Sequence, residues 1–162
     1  YAAVVMNHVL GGGGQQSRLF AEVRDKRGLA YGVSTGLRTY KRAALMVIST
    51  ASANERVAEA IRVIRAELAR MRTEGITQQE LADAKTYLNG ALALSLDSSG
   101  SVAGLLQSLQ IDGLSADHVT RRTALIDAVK LEDVRRVARR LLRDEAMTTV
   151  VVGKPVGVTA DP

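Results

Sequence analysis

Apolar positions along this chain recur at helical spacing over most of its length and give way to an extended pattern in only a few places. Residues 1–10, YAAVVMNHVL, are apolar nearly all round, which predicts the end of a buried helix, with Gly11 placed as a C-terminal glycine cap. Ser17 then stands as the N-cap of a short helix over about 18–27, with Leu19, Phe20 and Val23 on one face and Gly28 ending it. Two runs with β-branched residues, LAYGVSTGLR and AALMVISTA, flank the polar turn TYKR and predict an antiparallel hairpin.

Beyond the hairpin the period returns to helical. Asn54 is the expected cap of a long helix reaching about Thr73. Its stripe Val57, Ile61, Ile64, Leu68 and Met71 leaves Glu59, Arg62 and Arg70 on the other side, and Gly75 stops it. Thr77-Gln78-Gln79-Glu80 is a capping-box pattern for a further helix carried by Leu81, Leu88 and Leu92, broken at Ser98 to Ser101. Two or three shorter helices fill 101–143, one of them starting around Lys130-Leu131-Glu132-Asp133. MTTVVVG is predicted to close the fold as a strand beside the hairpin. The predicted class is therefore α+β: a two-layer sandwich in which a small, mostly antiparallel sheet carries helices on one face. Residues 1–154 read as a single domain and 155–162 as a tail or linker. A three-stranded sheet looks incomplete and the chain opens on Tyr1, so the domain is expected to be truncated at its N-terminus.

Composition narrows the function. At 162 residues with 46% hydrophobic positions the chain can bury a real core, and no apolar run approaches the ~18 residues that cross a bilayer. The absence of cysteine excludes disulfides and thiolate metal sites. Arginine bias and compact loops point to a bacterial source, with the periplasm expected ahead of the cytoplasm. The net charge of +5 is carried mainly by arginine, but aromatics are 3%, too few for the stacking platforms of single-strand binders. The densest basic cluster, Arg135, Arg136, Arg139, Arg140 and Arg143, lies opposite Leu131, Val134, Ala138 and Leu141, as the wet face of an amphipathic helix does. No nucleic-acid partner is expected, and a basic nucleic-acid-binding module is the weakest alternative.

Four consecutive glycines, Gly11 to Gly14, raise the question of a phosphate cradle. A P-loop needs a preceding strand and a Lys-Ser or Lys-Thr after the glycines; here a helix precedes them and Gln15-Gln16-Ser17 follows. Dinucleotide folds also begin with a strand. His8 and His118 have no ligand neighbours at zinc spacing, and neither zinc-helix motif nor nucleophile elbow is present. Metal ligands in this chain: none expected.

The stretch SRLFAEVRDKRGLAYGV resembles the insulinase/pitrilysin family of zinc peptidases, which includes the mitochondrial processing peptidase and its respiratory-complex relatives. In that family a helix ends in LGGG, a Ser-Arg-Leu-Phe helix follows, and R-E-x-x-G-L-A-Y leads into a strand. Leu10 to Gly13, Ser17 to Phe20, Arg24 and Gly28 to Tyr31 occur here in the same order. More weakly, ITQQELADAKTYLNGALALSLDS resembles the family's T-x-x-E-L-x-x-A-K helix, and IDAVKLEDVRRVARRLL its I-x-x-V-T-x-x-D-V region, with Lys130 where Thr is usual.

The resemblance implies one of two similar halves that close like a clamshell around an unfolded peptide. It implies the half without the inverted zinc motif, which reaches across with an Arg and a Tyr to the peptide beside the zinc. Arg24 and Tyr31 match that spacing, whereas Arg27 falls at a variable position. It also implies zinc in the partner half only, a zinc-bearing sister domain or subunit and a peptide substrate as partners, and an isolated chain without activity. Noncatalytic halves of processing peptidases carry a longer glycine-rich loop that presents substrate, which makes Gly12, Gly13 and Gly14 secondary substrate-binding candidates. The alternative under the same resemblance is a non-catalytic scaffold or protein-interaction module.

Overall fold

The computed structural model describes residues 1–159. The apolar N-terminal segment forms helix α1 (Ala2–Asn7) and continues through a wide turn, His8–Gly12, closed by an i→i+5 bond from the Gly13 N–H to the His8 carbonyl at 2.8 Å. Gly11 therefore lies inside the helical run and does not cap it. The reason is proximity: a Cβ on Gly11 would stand 2.6 Å from Thr35 Cγ2, so the bare backbone is what lets the helix meet the strand. The chain turns away at Gly14, with φ +61.

Ser17 occupies the cap position of helix α2 (Arg18–Phe20) with extended backbone, but its side chain does not cap. Its hydroxyl donates to the Gly14 carbonyl at 2.6 Å and closes the glycine loop instead. Helix α2 passes into a second wide turn, Ala21–Asp25, whose i→i+5 bond runs from the Lys26 N–H to the Ala21 carbonyl at 3.0 Å. Gly28, at φ +59, reverses the chain into the hairpin.

Strands β1 (Ala30–Tyr40) and β2 (Ala43–Ser52) pair antiparallel, from Ala30 with Ser52 to Tyr40 with Ala43. Helix α3 (Val57–Glu74) begins at Arg56, not at Asn54, whose backbone carbonyl instead accepts the Val156 N–H at 2.9 Å. It ends at Gly75, φ +77. Helix α4 (Gln78–Ser95) carries the predicted capping box: Glu80 N–H donates to Thr77 Oγ1 at 3.1 Å and Thr77 N–H to Glu80 Oε2 at 2.7 Å. Helices α5 (Ser99–Ile111), α6 (His118–Asp127) and α7 (Leu131–Leu141) complete the layer.

The core gathers Val5, Met6 and Leu10 from the first helical run, Leu19 and Val23 from the second, and Met71 from α3. Val134 and Ala138 of α7 seal it from below. Leu141, expected on that apolar face, is exposed; Leu142 is buried in its place, because the helix ends there and the chain turns. The class is α+β, with helices packed on one face of a small antiparallel sheet. Among the described residues that sheet has two strands. MTTVVVG makes no ladder, contrary to expectation: Val150 and Val152 are exposed, and Arg65 of α3 bonds Thr149 at 3.4 Å, so the segment runs along a helix rather than beside the hairpin. Of the predicted tail, 160–162 lie outside the described residues.

Candidate functional site

Two irregularities, one in a helix and one in a strand, bring Arg24 and Tyr31 together. Ala30 pairs with Ser52 and Val33 with Thr50, three steps on β1 against two on β2, so β1 holds a bulge at Tyr31-Gly32. In an unbroken strand Tyr31 would share the face of Val33. The extra residue lets Ala30 and Val33 both turn inward and leaves Tyr31 89% exposed. Thr50 Oγ1 donates to the Gly32 carbonyl at 2.9 Å and pins the bulge. Across the Gly28 turn, Arg24 sits in the wide turn of residues 21–25, and its guanidinium carbon lies 5.4 Å from the centre of the Tyr31 ring. The phenol and the guanidinium thus occupy one exposed place.

Three cations crowd this stretch, and they are not equivalent. Lys26 Nζ and Arg27 Nη1 both pair with Glu22, at 2.6 and 2.5 Å, and Arg27 also donates to the Glu22 carbonyl at 2.8 Å. The hydrogen bond from Lys26 and then that from Arg27 hold the Glu22 carboxyl below its ordinary range. Among the described residues Arg24 forms an ion pair only with Asp25, at 3.7 Å, and its side chain is 38% exposed. That contact leaves most of its donors free. Of the three, Arg24 is the one whose side chain donates no hydrogen bond to a described residue.

Beneath the site, Arg18 ties α2 to the two long helices. Its Nε and Nη2 donate to the two carboxylate oxygens of Glu80 at 2.6 and 2.7 Å, Nη2 also donates to the Gly75 carbonyl at 3.1 Å, and Nη1 reaches Glu67 at 3.4 Å. Burial acts to raise Glu80, but the bonds from Arg18 and the Thr77 N–H prevail and hold it at about 2. Burial pushes Glu67, 4% exposed, upward against the pull of Arg70 and Arg18. This network anchors the start of α2, which leads into the turn that carries Arg24.

The glycines have separate reasons. A Cβ on Gly12 would meet Asn7 Nδ2 at 2.5 Å and one on Gly13 the His8 carbonyl at 2.8 Å, so both allow the helical run its tight end. Gly14 has open space where a Cβ would stand. The close approach at Gly11 is to β1, not to the Ser17 helix. His8 stacks on Tyr87 with ring centres 4.6 Å apart, and burial lowers its pKa; His118 Nε2 lies 2.5 Å from the Tyr1 hydroxyl. Among the described residues no three His, Cys, Asp or Glu side chains gather as metal ligands, so the donors described here do not fit a zinc centre. No helix among them is long and apolar enough to cross a membrane.

Sequence reasoning passed over Phe20 as a site residue and Glu67 altogether. Phe20 was legible as the i, i+4 neighbour of Arg24. Glu67 was not: it stands among the buried positions of α3, three residues after Ile64 and four before Met71, and its pairing with Arg18 comes from a distant part of the chain. The bulge had a signal in Gly32, an isolated glycine within a strand pattern.

Known proteins are similar to this chain in sequence and fold. A family model described as peptidase M16 inactive domain matches residues 1–88. An uncharacterised zinc protease of Mycobacterium tuberculosis is 36% identical over 143 residues, covering 86% of this chain and 32% of the relative. One from Bacillus subtilis is 32% identical over 147 residues, covering 90% and 35%. The solved peptidase M16 inactive domain of Pseudomonas fluorescens is 30% identical with a TM-score of 0.76, over 88% of this chain and 34% of that one. The chain thus spans about a third of the length of the curated relatives it matches. The matched segment is more than half of the chain, and on that ground the chain belongs to the peptidase M16 inactive-domain family.

Proposed function

We propose that this chain is the zinc-free half of an insulinase/pitrilysin-like metallopeptidase, as a domain or a partner subunit, and that it contributes substrate contacts to peptide hydrolysis at zinc held by the other half. The observation that carries this reading is the Arg24–Tyr31 pair: a guanidinium and an exposed phenol, 5.4 Å apart from carbon to ring centre, at one corner of the fold. Hydrolysis of a peptide bond builds negative charge on the carbonyl oxygen, and fixed N–H and O–H donors stabilise that charge or hold the neighbouring backbone carbonyl. Arg24 supplies a charged fork and Tyr31 a single neutral donor. Gly12, Gly13 and Gly14 border the same substrate in this reading, with Gly14 open to close approach by a peptide backbone.

The test is reconstitution with the zinc-bearing half. Arg24→Ala and Tyr31→Phe should each lower kcat/KM by about 10²–10³-fold if they donate to the transition state. Both variants should keep the thermal midpoint of the parent chain. Two fully active variants would leave the fold as scaffold only. Chelator-sensitive peptide hydrolysis by this chain alone would also overturn the reading.

A further inference from the structure

An arginine held only by an exposed carboxylate at 3.7 Å ordinarily samples many rotamers, at a cost to any later binding. Arg24 is restrained in another way. Its guanidinium carbon lies 4.8 Å from the centre of the Phe20 ring and 5.4 Å from that of Tyr31, both within the ~6 Å reach of cation–π attraction. The two rings differ in kind. Phe20 is half-buried and packed on the core, so it is a fixed face; Tyr31 stands in solvent and is the movable one. The wide turn of residues 21–25 starts directly after Phe20 and contains Arg24, so it shifts the phase of the helix just where the arginine leaves it.

We propose that Phe20 is a positioning residue: its ring holds the Arg24 guanidinium at the exposed corner, and through Arg24 it steadies Tyr31, so that three side chains act as one unit. Phe20 touches no substrate and acts through Arg24; the inference therefore rests on the role proposed above for Arg24. A guanidinium lying against a ring keeps its N–H edge free for carbonyl oxygens, whereas a lysine ammonium has no plane to stack. The unit accordingly accepts arginine and an aromatic residue at position 20, and little else.

Phe20→Leu and Phe20→Met remove the aromatic face while keeping most of the apolar volume, and Phe20→Tyr keeps the face. In NMR spectra of the full chain, the Arg24 Nε–H signal should move in the Leu and Met variants, as the ring current is lost, and stay in place in the Tyr variant. In the assembled peptidase, the Leu and Met variants should lose about three- to fivefold in kcat with a smaller change in KM. Phe20→Tyr should restore the parent rate, and Phe20→Leu should add nothing in an Arg24→Ala background. An unmoved Arg24 signal in a folded Leu or Met variant overturns the proposal. So does a normal kcat in those variants when Arg24→Ala is impaired, and the peptidase reading then stands. A moved signal with Arg24→Ala fully active overturns the peptidase reading and leaves the stack intact. Arg24→Lys, which leaves the core untouched, covers the case in which position 20 tolerates no change: it should be as impaired as Arg24→Ala, and parental activity would sink the proposal.

Discussion

Residues 8–32 and helix α5 behave as opposites. The first stretch breaks regular geometry repeatedly, with two wide turns, the glycine turns at Gly14 and Gly28, and a strand bulge. Yet it supplies much of the buried core, through Leu10, Leu19, Val23 and Leu29. Helix α5 is regular and capped, with Ser98 Oγ accepting the Ser101 N–H at 3.1 Å, and it carries no charged residue. Even so, Leu109 is its one buried side chain, while Val102, Leu106 and Ile111 face solvent. Regular local structure therefore does not mean integration into the fold. Irregular backbone persists where surrounding contacts over-determine it, and here it lies beneath the exposed pair Arg24 and Tyr31. The family match, residues 1–88, covers the irregular stretch and ends before α5.

The strongest way to break this contrast is to cut the network under the irregular stretch. Arg18→Ala leaves the buried Glu67 with Arg70 alone and frees Glu80, and should cost roughly 3–5 kcal/mol of unfolding free energy in urea titrations. A loss below ~1 kcal/mol, the range of surface pairs, would show that other contacts hold α2 in place.

The same network sets an acid limb. Glu80 stands at about 2 in the fold against an ordinary 4.5, so the unfolded chain takes up the proton first. Stability should fall as pH drops from 4.5 toward 2 and level off below. Glu67, raised by burial, works in the opposite sense above 4.5, losing its contribution as pH rises through its folded value. Denaturation midpoints across this range should show a flatter acid limb in Glu80→Gln; an unchanged slope would detach Glu80 from it.

A milder cut is Gly11→Ala. Its Cβ would meet Thr35 Cγ2 at 2.6 Å and Oγ1 at 2.9 Å, and a threonine on a paired strand has little room to yield. The expected loss is about 1–3 kcal/mol by thermal denaturation, recovered in part by adding Thr35→Ala. Absence of that recovery would mean that the glycine is needed for another reason. At the far end of the scale, Ile111→Ser on α5 should change stability by no more than about 0.5 kcal/mol. A larger loss would show that α5 is bound into the domain after all and would erase the contrast.

Much of the fold was legible because its signals are local. The Thr77–Glu80 capping box, the stop at Gly75, the hairpin and the start of α7 at Leu131 each depend on side chains within one turn or one strand pairing. The departures have a common cause. Gly11, Ser17 and Asn54 carry end-of-helix chemistry, but each is engaged by a distant or looped-back partner: Thr35, the Gly14 carbonyl and the Val156 N–H. MTTVVVG has strand propensity without a ladder partner among the described residues, and propensity alone does not make a strand.

For the candidate site, the sequence by itself determined which side chains are present and, through the order of motifs from Leu10 to Tyr31, the family to which they belong. Only the tertiary structure decided their directions. Lys26 and Arg27 fold back on Glu22 and leave Arg24 free; a one-residue bulge turns Tyr31 from the core to solvent; the Phe20 ring lies against the guanidinium between them. Periodicity and capping are settled by neighbours three or four residues away. The aim of a side chain at a bulge or a wide turn is settled by what packs against it from elsewhere in the chain, and the order of residues does not state that.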